Sequence, residues 1–197
     1  ENIILYSLTA MVDDYHQEIK KNIQVIETLD FIFAKGQLSV DMQAVAPQIN
    51  TDRYIKIKKG RHPLLNKDIC VPLNFELGKD YNGVVITGPN TGGKTVCLKA
   101  VGLFSIMAQC GLHVPCEEAN LCMNENLLCD IGDGQNISQN LSTFSAHMKT
   151  LIDMLQYVHK GSLVLLDELG SGTDPSEGMG IAVAVIEYLK EKQCLFL

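Results

Sequence analysis

A glycine-rich segment near the middle of the chain carries residues that could bind phosphate. It runs Gly-Pro-Asn-Thr-Gly-Gly-Lys-Thr over residues 88–95 and fits the pattern G-x-x-x-x-G-K-S/T. Glycines let backbone N–H groups turn inward around phosphate oxygens, and a following helix adds the positive end of its dipole. Lys94 would supply a mobile charge for the β and γ phosphates, and Thr95 would ligate Mg²⁺ through its hydroxyl. We call residues 88–95 the phosphate loop.

The residues on either side of the phosphate loop support this interpretation. An apolar run, Val84-Val85-Ile86, precedes it and is typical of a buried strand, whereas the stretch 96–107 predicts a helix. A phosphate-binding loop of this type joins a strand to a helix. A chance glycine turn between the two elements is the alternative.

A second apolar run ends in two adjacent carboxylates. The stretch 162–166, Ser-Leu-Val-Leu-Leu, predicts a buried strand, and Asp167 and Glu168 follow it directly. Neighbouring carboxylates are costly unless a cation or solvent compensates their charge, which a bound Mg²⁺ would do. We expect Asp167 to hold the metal shell through water and Glu168 to accept a proton from an attacking water. Two solvated carboxylates at a strand end are the alternative.

The loop after these carboxylates predicts the start of another helix. Asp174 can cap that helix, with Pro175 at its first position and Glu177 reaching back to complete a capping box. Gly178 and Gly180 lie early in the same helix, where glycine costs stability relative to alanine. They suggest the close approach of another backbone or subunit.

Strand and helix patterns alternate through the second half of the chain. This alternation predicts an α/β fold with a mainly parallel sheet. The predicted elements are a strand at 84–87, a helix from about 93 to 110, a strand near 127–129, a helix at 142–158, a strand at 162–167, a helix after Pro175 and a strand beginning at Cys194.

The first part of the chain has a different pattern. Apolar residues at three- and four-residue spacing predict one long amphipathic helix, or a pair of helices, over residues 1–35, ending near Gly36. A domain boundary follows at 40–50, and residues 54–58 alternate as a half-buried strand does. Basic residues cluster here, and we interpret them as a solvated strand face rather than as a patch that contacts phosphate. They are Lys56, Lys58, Lys59 and Arg61.

Composition limits the classes of function. The 197 residues are 46% apolar, enough to bury a core, and the formal net charge of −7 disfavours a surface that grips nucleic acid by counterion release. No apolar run approaches the roughly 18–20 residues that a membrane span needs. The seven cysteines form no C-x-x-C pair, so we expect reduced, mostly buried thiols. The first stretch is no signal peptide, and the absence of an initial Met suggests an excised fragment.

Four ordered motifs resemble the ATPase domain of the MutS family, an ABC-type P-loop ATPase. They are the phosphate loop, the stretches 141–148 and 166–170, and the loop 172–175. The resemblance covers roughly residues 54–197, and Gly-Arg-His-Pro at 60–63 is similar to the family's entry into the domain. Mismatch-repair members usually carry Met and Ser in place of Thr91 and Thr95. The chain is more similar to the bacterial MutS paralogues that restrain homologous recombination.

This resemblance implies a fold and a set of site residues. The fold would be an ABC-type P-loop NTPase over residues 46–197, truncated at its C-terminus, preceded over residues 1–45 by an amphipathic helical segment from the end of the family's helical core or lever. Ser142, together with Thr143, would face the γ-phosphate bound by the other subunit of a homodimer. Adenine would pack on the segment 69–71, and Asn90 would position the attacking water, unless it is only a turn residue. The implied nucleotide-binding residues are Gly88, Pro89, Asn90, Thr91, Gly92, Gly93, Lys94, Thr95, Val96, Ile69 and Val71.

The implied function is Mg²⁺-dependent binding of ATP and its hydrolysis to ADP and phosphate, with Glu168, Lys94, Ser142 and Asn90 in catalysis and Thr95 and Asp167 on the metal. Branched or recombining DNA would bind to parts of the full-length protein outside this chain, and a nuclease activity would also lie there. A switch histidine would follow residue 197. A bacterial cytoplasm without membrane attachment fits the resemblance. The alternatives are a nucleotide-gated dimerisation or binding module with little turnover, and a mismatch-repair MutS ATPase domain.

Overall fold

The computed structural model describes residues 2–89, 92–131 and 142–197, with the backbone alone described for 142–147. The chain divides into two compact units, residues 1–41 and 42–197. The sequence places its boundary between residues 45 and 46, four residues later than this division.

The first unit consists of two helices. Helix α1 spans Asn2–Asp13 and helix α2 spans His16–Met42, with no buried residue in either. The predicted end near Gly36 is wrong, because α2 continues for six more residues. A glycine inside a helix costs only about 1 kcal/mol relative to alanine, and the Gln37 side chain donates to Asp41 Oδ1 at 2.8 Å across the next turn.

The second unit contains a mixed sheet of four strands. They are β1 (Gln48–Asn50), β2 (Ile55–Gly60), β3 (Leu73–Leu77) and β4 (Glu118–Cys122), in the order β1-β4-β2-β3. Strand β4 is parallel to β1 and antiparallel to β2, and β2 is antiparallel to β3. The predicted strand at 54–58 is confirmed as β2.

Acidic neighbours pair with the basic residues of this sheet. Lys58 and Lys59 lie 2.6 and 2.8 Å from the carboxylate oxygens of Glu117, and Lys56 lies 3.5 Å from Glu118. The hydrogen bonds from both lysines lower the pKa of Glu117 to about 2. The solvated strand face is therefore confirmed for Lys56, Lys58 and Lys59, whereas Arg61 is partly buried and donates to the Met42 and Gln43 carbonyls at 3.1 and 3.2 Å.

A parallel sheet of three strands carries the carboxylates. It is formed by β5 (Asn126–Asp130), β6 (Ser162–Leu166) and β7 (Leu195–Phe196), in that order. The strand predicted at 84–87 is wrong as a regular strand. Gly83 forms a single parallel bridge with Phe196, and the Val84 N–H donates to the Phe196 carbonyl at 3.0 Å.

Three helices accompany the strands of the second unit. They are α3 (Lys94–Gln109), α4 (Ser142–Leu155) and α5 (Pro175–Glu191). Each overlaps a predicted helix, although α4 ends three residues before the predicted Val158. Among the helices of the described residues, none is both long and apolar enough to cross a membrane.

Strand β6 is buried on both faces, as strands of parallel sheets commonly are. Leu163 and Leu165 pack into one apolar cluster with Phe104 of α3, whereas Val164 packs into another with Leu189 of α5. The second unit is thus a mixed α/β structure in which the parallel sheet carries the predicted site. All seven cysteines are free; Cys116, Cys122 and Cys194 are buried, whereas Cys110 and Cys129 are exposed.

Candidate nucleotide-binding site

The phosphate loop has a backbone that only glycine adopts readily. Gly88 has φ 146° and Gly93 has φ 80°, and α3 begins at Lys94 directly after Gly93. A Cβ atom added to either glycine would meet no atom of the described residues within 4 Å. The backbone conformation therefore explains both glycines. Asn90 and Thr91 lie outside the described residues.

Lys94 folds across the phosphate loop. Its Nζ donates to the Gly88 carbonyl oxygen at 2.6 Å, which joins the two ends of the loop. The Gly92 N–H donates to the Pro89 carbonyl at 3.0 Å. The N–H groups in the first turn of an α-helix have no carbonyl partner within the helix, so the start of α3 provides donors for an anion.

The two predicted motifs meet through a side-chain hydrogen bond. Thr95 Oγ1 donates to Asp167 Oδ2 at 2.6 Å, although the two residues are 72 positions apart. Thr95 lies in the first turn of α3, and Asp167, which is 9% exposed, directly follows β6. Hydroxyl and carboxylate oxygens are ligands that Mg²⁺ prefers in proteins, so this pair fits the ion that the sequence predicts.

Glu168 lies beside this pair in an unusual backbone conformation. Its φ is +49°, a left-handed value uncommon for residues other than glycine, and its side chain is exposed. The Ser171 N–H donates to the Glu168 carbonyl at 3.0 Å and closes a turn after the strand. Such strained residues cluster at functional sites, and Glu168 combines the conformation with a carboxylate beside the candidate metal ligands.

A cavity of about 260 Å³ reaches the same residues. Lys94, Asp167 and Glu168 contribute to its lining, and most of the rest is apolar, including Leu98, Leu169, Ile186 and Phe196. Electrostatic interactions are stronger beside an apolar wall than in open water. The cavity thus brings the lysine and both carboxylates to one space.

Asp174 caps helix α5 as predicted. Its Oδ1 accepts from the Ser176 N–H at 2.9 Å, and Pro175 is the first helical residue. Hydrogen bonds from Ser176 lower the pKa of the Asp174 carboxyl below its ordinary value. The second half of the predicted capping box is wrong, because Glu177 Oε2 accepts from the Thr173 hydroxyl at 2.8 Å instead.

The two glycines of α5 differ in their surroundings. A Cβ atom added to Gly178 would lie 2.1 Å from the Gly170 carbonyl oxygen, whereas one added to Gly180 would meet nothing within 4 Å. The close approach of another backbone is therefore confirmed for Gly178, and the backbone belongs to the turn after Glu168. For Gly180 no neighbour within the described residues requires a glycine.

Ile69, Val71 and Val96 do not line this cavity, and the side chain of Ser142 lies outside the described residues. Ile69 and Val71 are 77% and 85% exposed on the segment between β2 and β3, and Val96 is partly exposed in the first turn of α3. Ser142 is the first residue of α4, but the structure describes only its backbone. The adenine contacts and the action of Ser142 across a dimer therefore stay predictions.

Sequence reasoning missed a polar cluster at the opposite end of β6. The Arg53 guanidinium donates to the Gly161 and Ser162 carbonyls at 2.9 and 2.7 Å and to Asn124 Oδ1 at 3.0 Å. The buried Asn124 side chain donates to Ser105 Oγ in α3 at 2.8 Å. The cluster ties the start of β6 to the helix that follows the phosphate loop. No motif marks these residues, since they come from four separate segments.

Comparison with known proteins identifies a family match. The family model described as MutS domain V matches residues 84–197, which is more than half of the chain. The match contains the phosphate loop, both carboxylates and helix α5.

Several curated relatives are similar over nearly the whole chain. The proteins named Endonuclease MutS2 from Acetivibrio thermocellus, Clostridioides difficile and Bacillus velezensis are each 50% identical to it, over 96%, 93% and 93% of its length. The matched region is 24%, 23% and 24% of those proteins. The chain therefore spans about a quarter of the length of the curated relatives it matches.

Proposed function

The chain belongs to the MutS family and matches its domain V, and from this premise we propose that it binds ATP with Mg²⁺ and hydrolyses it to ADP and phosphate. The observation that carries the proposal is the 2.6 Å hydrogen bond from Thr95 to Asp167, which brings the phosphate loop to the carboxylates after β6. Phosphoryl transfer depends mainly on positioning and charge stabilisation, and this juxtaposition supplies both.

Each residue of the constellation has a chemical task in this proposal. Backbone N–H groups of the phosphate loop and α3 hold phosphate oxygens, and the Lys94 ammonium leaves the Gly88 carbonyl to neutralise phosphate charge. Thr95 and Asp167 hold Mg²⁺, which supplies charge neutralisation when bound. Glu168 accepts the proton of the attacking water, and Asn90 helps to orient that water. Ile69 and Val71 offer exposed apolar surface on which an adenine ring can pack.

The proposed assembly is a homodimer through the ATPase domain. In it Ser142, at the start of α4, contacts the γ-phosphate bound by the other subunit, since a helix start offers N–H donors to an anion. Residues 1–45 are the end of a lever that transmits the nucleotide state to other parts of the protein.

The proposed biological role is restraint of homologous recombination in the bacterial cytoplasm. The bacterial relatives named Endonuclease MutS2 support it. The net charge of −7 suits a domain that drives DNA-binding parts rather than one that grips DNA itself. Branched DNA and any nuclease chemistry are assigned to parts of the full-length protein outside this chain. The relatives' name also favours this branch over a mismatch-repair MutS.

A second candidate is a nucleotide-gated dimerisation module with little turnover. It is favoured by the exposed Glu168 carboxylate, which has no hydrogen-bond or ion-pair partner within residues 2–89, 92–131 and 148–197. A base that is not held in place can leave binding intact while hydrolysis stays slow.

Steady-state hydrolysis of Mg²⁺–ATP by the natural full-length protein and its Glu168→Gln variant tests the proposal. We expect Glu168→Gln to keep ATP binding and to lower kcat by about 10²–10⁴-fold, because it removes the general base. Glu187→Gln, a change of the same kind on the exposed side of α5, is the matched control and should keep the activity. Unchanged kcat in Glu168→Gln contradicts the proposed base.

Protein concentration separates the two candidates. Turnover per subunit that rises with concentration supports hydrolysis at a shared dimer interface, whereas ATP-dependent dimerisation with negligible turnover in the unmodified protein favours the binding module. Failure to bind ATP contradicts both.

A further inference from the structure

The orientation of Glu168 depends on its backbone. Within the described side chains its carboxylate has no hydrogen-bond or ion-pair partner, in contrast to Asp167, which accepts from Thr95. The backbone at Glu168 fixes where its side chain begins and thereby limits the region that the carboxylate can reach. Whatever holds the turn that begins at Glu168 therefore also limits where a base at this position can lie.

The backbone of the turn after Glu168 is in a conformation that restricts its movement. Glu168, Gly170 and Gly172 all have left-handed φ values, +49°, +81° and +87°. The hydrogen bond from the Ser171 N–H to the Glu168 carbonyl closes the turn. A non-glycine residue such as Glu168 adopts this conformation only when the surrounding structure imposes it.

Backbone contact with α5 supplies that constraint. A Cβ atom added to Gly178 would lie 2.1 Å from the Gly170 carbonyl oxygen, and one added to Gly170 would lie 2.2 Å from the Gly178 carbonyl oxygen. Real Cβ atoms essentially never approach within 3.0 Å of such neighbours, so neither glycine can carry a side chain unless a backbone moves.

We propose that Gly178 is a positioning residue for ATP hydrolysis, which holds the turn 168–172 against α5 and thereby sets the position of Glu168. The inference rests on the proposed function. Helix α5 contributes Ile186 and Leu189 to the lining of the cavity. In this proposal it has a second role, because its backbone contact at Gly178 sets the position of Glu168.

The turn moves more easily than the helix when the contact is crowded. Helix α5 is anchored by the Asp174 cap at its start and by the buried Val185 and Leu189 further along. Gly170, in contrast, is followed by the exposed residues Ser171 and Gly172. A methyl group at position 178 therefore displaces the turn and, with it, Glu168.

The test compares Gly178→Ala with Gly180→Ala in the natural full-length protein. Both changes add one methyl group to α5, two residues apart, but only the one at position 178 meets the turn. Dissociation constants for Mg²⁺–ATP, kcat and unfolding temperatures are measured for each. We expect Gly178→Ala to lower kcat by about a hundredfold, as a displacement near 1 Å can, with the ATP dissociation constant within about threefold of the unmodified protein. Gly180→Ala should leave both unchanged.

A second variant covers the case in which Gly178→Ala does not fold. Ser171→Pro removes the N–H that closes the turn, at an exposed position outside α5. It should give the same signature, a reduced kcat with retained ATP binding.

The outcomes separate this inference from the proposed function. Hydrolysis by the unmodified protein with equal kcat in Gly178→Ala and Gly180→Ala overturns the positioning role alone, as does an unfolded Gly178→Ala together with an unaffected Ser171→Pro. Equal losses of kcat and ATP binding in a folded Gly178→Ala also overturn it. Absence of hydrolysis in the unmodified protein overturns the proposed function and this inference together.

Discussion

Asp167 is buried, and the Thr95 hydroxyl satisfies one of its oxygens at 2.6 Å. A buried carboxylate without partners would cost several kcal/mol, so this hydrogen bond stabilises the folded chain. In the proposed function the same two oxygens hold a metal ion, so structural and catalytic demands would meet in one side chain of the phosphate loop.

Replacing Thr95 separates these demands. Thr95→Val keeps the shape but removes the hydroxyl, so we expect a loss of about 1–3 kcal/mol in the free energy of unfolding and much weaker Mg²⁺-dependent ATP binding. Thr95→Ser keeps the hydroxyl and should retain both properties. Denaturant unfolding and nucleotide titration with and without Mg²⁺ measure them; equal behaviour of the two variants would contradict the assigned role.

At the residue scale, the sequence predicted the groups whose spacing follows from the chemistry. Lys94 and Thr95 stand in a motif typical of phosphate-binding loops, and the structure brings Thr95 to Asp167, the first of the two predicted carboxylates. The Gly178 contact was predicted only as close approach to some backbone or subunit, because spacing along one helix cannot identify the partner on another segment. Gly170 provides that partner.

At the scale of elements, helix α5 positions the turn that contains Glu168. Its start is defined by the Asp174 side chain, which accepts from the Ser176 N–H, and by Pro175 at the first helical position. Both residues act before the helix is packed, so the local sequence alone defines where α5 begins.

The Asp174 cap should make stability depend on pH. Because hydrogen bonds from Ser176 lower the pKa of Asp174 in the folded chain, its contribution is present above the ordinary carboxyl pKa and is lost as pH falls through the lowered value. Near pH 7 we expect Asp174→Ala to lower the unfolding temperature by about 2–4 °C. Asp174→Asn keeps an uncharged acceptor and should lose less. If the difference in unfolding temperature between the unmodified protein and Asp174→Ala stays constant from pH 7 to below 3, this role is contradicted.

Elements with long periodic patterns were predicted best. Helices α3 to α5 follow from apolar spacing and strand β6 from a continuous apolar run, whereas β1, β3 and β4 were missed because polar residues interrupt them. The segment 84–87 has the composition of a strand, but only a single bridge at Gly83 and the hydrogen bond from the Val84 N–H join this part of the chain to Phe196.

At the scale of the whole molecule, buried polar contacts connect elements distant in sequence. Arg53 binds two carbonyls at the start of β6 as well as Asn124, which in turn binds Ser105 of α3. The phosphate loop precedes α3 and the carboxylates follow β6. The cluster thus joins α3 and β6 at the ends that lie away from the phosphate loop and the carboxylates.

Removal of this connection should destabilise the fold. We expect Arg53→Ala to lower the free energy of unfolding by about 1.5–3 kcal/mol, because charged hydrogen bonds to backbone carbonyls are lost. Lys56→Ala, which removes an exposed ion pair 3.5 Å long, is the control and should cost less than about 1 kcal/mol. Chemical denaturation measures both, and equal effects would show that the cluster contributes no more than a surface ion pair.

ATP binding by the phosphate loop is the premise for every catalytic role assigned above, and a calorimetric titration of Mg²⁺–ATP into the natural full-length protein tests it most directly. Lys94→Ala is compared with Lys99→Ala, which removes the same charge from an exposed position of the same helix. We expect Lys94→Ala to bind Mg²⁺–ATP about ten- to a hundredfold more weakly and Lys99→Ala to bind it with unchanged affinity. Equal affinity in the two variants would contradict the assignment of residues 88–95 as the nucleotide site.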